Sequence, residues 1–129
     1  MFSWFRKASF PEFTALQSSA IKDQYFYRTA HYHWMDDQQE QICALPPGEA
    51  KIVTMDDWPQ VVFLDALGQL TVAEYTLRLA RHYPRREVTS DFDKNILYQI
   101  DQLVEIGCIA LSDHPVQLAP EFADPTTPA

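Results

Sequence analysis

Glycine is scarce in this chain, with three in 129 residues. Few positions can therefore take a left-handed backbone without strain, and a flexible glycine-rich linker is excluded. The two cysteines, Cys43 and Cys108, lie far apart and in no paired motif, which excludes a disulfide framework and a zinc ribbon. A reducing, cytoplasmic setting is the expectation. Basic residues are few: ten Lys/Arg against eighteen Asp/Glu give a formal net charge of −8. A duplex-binding domain normally carries a basic footprint, because phosphate contacts dominate its affinity. General binding to nucleic acid or to an anionic membrane is therefore disfavoured.

No stretch approaches the ~18 consecutive apolar residues of a transmembrane helix. The N-terminus lacks the apolar core of a signal peptide. No phosphate-binding loop, nucleophile elbow or zinc-protease motif is present, so neither enzymatic activity nor a cofactor is expected.

Apolar residues make up 47% and aromatics 13%, which suits a folded core. The length suits one domain, 1–129, able to bury roughly two-thirds of its unfolded surface. The charge is uneven. Residues 1–54 carry six acids against five Lys/Arg, and residues 55–129 carry twelve against five.

The segment "MFSWFRKASFPEF", residues 1–13, sets aromatics around Arg6 and Lys7, a combination open to weak peripheral membrane contact. It belongs to an N-terminal extension over 1–22. "DQYFYRTAHYHWM" reads as one strand, with Phe26, Arg28, Ala30, Tyr32 and Trp34 on one face and Tyr25, Tyr27, Thr29, His31 and His33 on the other. A polar turn at 36–40, a strand at "QICAL", a Pro/Gly turn and a strand at "AKIVTM" complete a small antiparallel meander over 23–54.

Residues 55–118 read as three helices and a short hairpin. In "MDDWPQVVFLDALG", Asp56 or Asp57 suits an N-cap, Pro59 the first turn and Gly68 a C-terminal stop. Trp58 is expected to be largely buried where sheet and helices meet. "TVAEYTLRLARHYP" opens with a capping box, Thr71 and Glu74. "DFDKNILYQIDQLVEIG" follows a weaker box at Ser90 and Asp93, and stops at Gly107. "CIALS" and "VQL" flank "DHP" as a possible hairpin. Residues 119–129 read as a frayed tail. The fold class is thus α+β: an antiparallel meander followed by a winged-helix-like unit.

The middle of the chain, roughly residues 41 to 111, resembles the PqqD-like peptide chaperones. "FLDALG", then Thr71, Val72 and Glu74, then Leu79, Ala80 and Tyr83, then Leu103, Gly107 and Ile109 carry the resemblance. It implies a protein or peptide partner docked as an added strand. The edge would be Lys51, Ile52, Val53 and Thr54, with Ile96 and Ile100 or their neighbours lining the groove.

Other chemistry is weighed residue by residue. Asp57 and Asp65 stand eight apart, ~12 Å along one helix, too far to share a metal ion; capping and surface exposure account for them. His31 and His33 share a strand face and could chelate zinc, but no third ligand is placed by spacing. Arg78, Arg81, Arg85 and Arg86 form the one basic cluster and could meet a phosphate or nucleic acid. Dipole compensation and pairing with Glu74, Glu87 and Asp91 are the competing account. A major-groove role for the last helix is disfavoured, since Asp91, Asp93, Asp101 and Glu105 outweigh Lys94. An acidic protein that neutralises a basic partner also fits the charge. The cysteines read as small buried hydrophobes.

Overall fold

The computed structural model describes residues 11–48 and 51–126. Most of the segment expected to touch a membrane surface (1–10), Ala50 of the expected third strand and the tail residues 127–129 lie outside them. In chain order the described elements are α1 (Thr14–Gln17), β1 (Tyr25–Arg28), β2 (His31–Trp34), β3 (Ile42–Leu45), β4 (Val53–Thr54) and α2 (Asp57–Leu64). They continue as β5 (Leu67–Thr71), α3 (Val72–His82), a 3-10 turn at Arg85–Glu87, α4 (Phe92–Glu105), β6 (Ile109–Ser112) and α5 (Pro120–Ala123). The fold is α+β, with two three-stranded antiparallel sheets ordered β5-β1-β6 and β2-β3-β4. Phe26, Ile42, Phe63, Ile96, Ile100 and Leu103 are among the largest side chains of the shared core.

The expected long strand over 23–35 is two strands in two sheets. Of the two faces read from the alternation, the one with Phe26, Arg28, Ala30 and Tyr32 is the buried one. Alternation continues unbroken through the step at Thr29, which is why the pattern does not disclose it. Thr29 is held to the end of α4, its N–H donating to the Cys108 carbonyl at 2.9 Å and its Oγ1 to the Gly107 carbonyl at 3.0 Å. Beyond it the chain leaves β5 and β6 and pairs with β3. The meander is therefore β2-β3-β4, and β1 belongs elsewhere.

The helices follow their signals unevenly. Thr71 and Glu74 form the reciprocal capping box, with bonds of 3.1 and 2.9 Å. At the end of α4, the Cys108 N–H reaches the Leu103 carbonyl and the Gly107 N–H the Val104 carbonyl, with Gly107 at φ +82°. That is a Schellman stop. Gly68 is not a helix stop; it sits inside β5. It too has φ +82°, and a Cβ there would lie 2.4 Å from the Val116 carbonyl oxygen. The box at Ser90 and Asp93 does not form. Asp93 is fully buried instead, and its Oδ2 accepts from the Leu16 N–H of α1 at 2.8 Å. It thereby satisfies an orphan donor of a helix whose own N-cap, Phe13, offers none.

The last segment also differs from expectation. β6 pairs with β1, not with Val116–Leu118, so no hairpin forms. Val116 instead donates to the Gly68 carbonyl at 2.9 Å, on the outer side of β5. Nor are residues 119–126 frayed. His31 Nδ1 donates to the Glu121 carbonyl (3.1 Å) and its ring stacks on Phe122. The Thr126 N–H donates to the Tyr32 carbonyl at 2.7 Å.

Arg28 closes this arrangement. It is 2% exposed. Its Nε donates to the Phe122 carbonyl (2.9 Å) and its Nη2 to the Ala123 carbonyl (3.1 Å). Its Nη1 donates to the carbonyls of Leu64 (2.6 Å) and Phe63 (3.3 Å). These are the last-turn carbonyls of α2 and α5, where helix dipoles place partial negative charge. The rings of Tyr32 and Phe63 lie 5.3 and 5.7 Å from the guanidinium carbon. Burial lowers the pKa of Arg28, against the opposing charges of Tyr32, Asp65 and Asp124.

Arg28→Ala should destabilise the fold by roughly 3–5 kcal/mol, the scale of breaking a buried charged network. Arg28→Lys should recover only part, since an ammonium has three donors and no fork. Urea denaturation checks this; a loss under about 1 kcal/mol for Arg28→Ala would show that the carbonyls are satisfied without it.

Candidate functional site

The edge expected to receive a partner strand is at the margin of its sheet: β4 is terminal in the order β2-β3-β4. Lys51, Ile52 and Thr54 are exposed, Ile52 by 64%, and Val53 is half-buried. Ile96 and Ile100 do not line a groove beside it. Both are fully buried in the core. They sit on the inward stripe of α4, and the face next to the groove carries Tyr98 and Gln99 instead.

The groove itself is a hollow of about 840 Å³ where β4 runs into α2. Asp36, Glu40, Asp56 and Asp57 bring four carboxylates to it. Met55, Trp58, Pro59 and Tyr98 supply apolar and aromatic surface, and Tyr98 is 59% exposed. Among the described residues, no Lys or Arg lines it. Two glutamines hold its walls together. Gln60 of α2 accepts from the Ile42 N–H (2.9 Å) and donates to the Glu40 carbonyl (3.0 Å), while Gln41 donates to the Met55 carbonyl (3.3 Å). The β2–β3 turn is thus fastened to the start of α2. Asp56 takes the N-cap position of α2, but its side chain makes no cap bond. The aspartates read from the sequence as caps are therefore groove carboxylates.

A second hollow, about 570 Å³, adjoins the first and shares Asp57 and Trp58 with it. Glu87 and Asp91 add two more carboxylates there. Asp91 is paired with Lys94 at 3.3 Å, both side chains well exposed. Trp58, expected to be largely buried, is partly buried and packs against the core. Its ring stacks on Tyr83 (5.6 Å, 15°) and meets Phe92 edge-on (6.0 Å). That clamp holds it between the two hollows.

The other sequence candidates are dispersed. His31 is engaged with Glu121 and Phe122, and no group of three or more His, Cys, Asp or Glu among the described residues stands close enough to hold a metal ion. Arg81, Arg85 and Arg86 are exposed and line none of the hollows described, whereas Arg78 faces a separate small one. Glu74, the expected partner of these arginines, is turned back to the Thr71 N–H. Asp36, Glu40, Gln41, Gln60 and Tyr98 are groove residues that sequence reasoning missed. A signal existed only for the acids, in the "DDQQE" turn and the "DD" step before Trp58.

Comparison with protein-family models, with curated proteins and with solved structures finds no significant match.

Three buried acids titrate abnormally. Burial pushes the Cys108 thiol up from 9.0 to about 11 and raises Cys43. Burial, then the charge and hydrogen bond of Asp65, raise the Tyr75 hydroxyl. In each case the folded state holds its proton to higher pH than the unfolded chain does. Their contribution is therefore intact below the unfolded pKa and lost as pH rises through the folded one. Unfolding free energy should fall between pH 9 and about 11, and Cys108→Ala should flatten that slope, as measured by urea titration at each pH. Near-neutral Ellman titration should detect neither thiol until the chain is denatured, since both cysteines are buried.

Proposed function

We propose that this protein is a non-enzymatic docking domain for a basic protein or peptide segment, bound in the acidic aromatic groove with the segment's backbone along β4. The observation that carries this reading is the groove's lining. Four carboxylates and two aromatic rings, with no Lys or Arg among the described residues, stand beside a terminal strand. Each part suits one feature of such a partner. Unpaired N–H and C=O groups at a sheet edge accept an extended backbone. Trp58 and Tyr98 offer ring faces to guanidinium or ammonium groups. The carboxylates add attraction that steers encounter and selects charge. The resemblance to peptide-binding chaperones points the same way, and the net charge of −8 suits a basic partner better than a phosphate-bearing one.

The probe is a fluorescent heptapeptide alternating arginine and valine. Its anisotropy should report binding that weakens as salt rises. Asp56→Asn with Asp57→Asn, and separately Tyr98→Ala, should each weaken it by roughly tenfold, about 1.4 kcal/mol. Amide shifts should concentrate on Ile52–Thr54 and on Tyr98. Absence of binding at low salt, or shifts that avoid this edge, would overturn the reading.

A further inference from the structure

On another face, between β5 and α3, lies a hollow of about 340 Å³. Leu67, Leu70 and Leu79 make it apolar, and Leu67 is 49% exposed. Buried Tyr75 lines it too, and its hydroxyl donates to Asp65 Oδ2 at 2.9 Å. That bond fixes the carboxylate in place while leaving Oδ1 without a hydrogen bond among the described residues. Arg78 lines the same hollow, and its guanidinium has no hydrogen bond or ion pair among the described residues. His82, one turn further on, donates its Nδ1–H to the Arg78 carbonyl at 2.8 Å. A carbonyl only accepts, so its Nε2 is the nitrogen left over.

Asp65 and Arg78 thus border one small apolar hollow without pairing with each other. A carboxylic acid with an apolar tail would meet Arg78 but be repelled by Asp65. An amine of the same shape would meet the reverse. A ligand that carries both charges on one carbon, with an aliphatic branch, complements all three features at once. We infer that this hollow binds a free α-amino acid of the leucine class. The carboxylate meets Arg78 as a charge-assisted pair, the ammonium meets Asp65, and the side chain lies among Leu67, Leu70 and Leu79. The volume falls in the range of small-molecule sites, which combine apolar walls with a few placed polar groups. This site is separate from the acidic groove, and its test does not depend on peptide binding.

The test uses the full chain, isotope-labelled for amide NMR and paired with calorimetry. L-leucine, glycine, 4-methylpentanoic acid and isopentylamine are titrated separately. Leucine should shift the amides of Leu67, Leu70, Tyr75 and Arg78. Each of the other three should bind at least about tenfold more weakly. Arg78→Gln and Asp65→Asn should each weaken leucine by roughly tenfold; both side chains are exposed, and Asp65→Asn keeps an acceptor for the Tyr75 hydroxyl. The proposal is overturned if leucine causes no saturable shifts there, or if the acid, the amine or glycine binds as well as leucine. Leucine binding unmoved by both substitutions overturns it equally.

Discussion

A cation without a carboxylate partner in hydrogen-bond contact sits at the centre of this fold. Arg28 is held by four backbone carbonyls, two from the end of α2 and two from α5. Removing a guanidinium from water costs several kcal/mol unless each donor finds a partner. The structure meets that requirement with helix ends, whose carbonyls lack intrahelical donors in any case. One side chain thus offsets its own desolvation and adds a donor at two helix ends, where the Phe63 carbonyl also accepts the Ala66 N–H at 3.2 Å. The same contact decides where the last segment lies, and the last segment in turn covers the outer edges of β5 and β2.

Of the four terminal strands, β4 and β6 have no backbone bond to the last segment among the described residues, and β4 is the one that runs into the acidic groove. Val116 lies against β5 at Gly68, and Thr126 against β2 at Tyr32. Bonds of this kind blunt an edge that would otherwise invite pairing with another chain. β4 differs in running directly into an acidic groove, where added charge of the opposite sign would be welcome. The contrast separates edges closed by the chain's own tail from one beside which carboxylates gather.

Much of this was legible where side-chain identity dictates geometry. The box at Thr71 and Glu74 and the stop at Gly107 need those residue types at those spacings. That Phe26, Arg28, Ala30 and Tyr32 share a face follows from a period of two; that this face is the inward one does not. The remainder depends on groups that every residue carries. Arg28's acceptors are main-chain carbonyls, so nothing in "APEFADP" marks the tail as anchored. β5, "LGQLT", is a strand because β1 offers it partners, and its burial runs against its pattern: Leu67 is exposed and Gly68 buried. Ile96 and Ile100 were readable as an inward stripe, and for that reason they cannot also face a ligand. The aspartates before Trp58 have the composition of caps and the position of caps, but not the bonds. Only their placement opposite the β2–β3 turn reveals a shared acidic surface.

The reach of Arg28 along the chain has a consequence for the order of events during synthesis. Its partners lie 35, 36, 94 and 95 residues downstream. Contacts of such separation carry a large loop-closure cost and form late. Until residues 120–123 have left the ribosome, the guanidinium has at most the α2 carbonyls available. β1 therefore waits, half satisfied, for α5 to emerge, and an element near the start of the described chain completes its contacts only after one more than ninety residues downstream has been made.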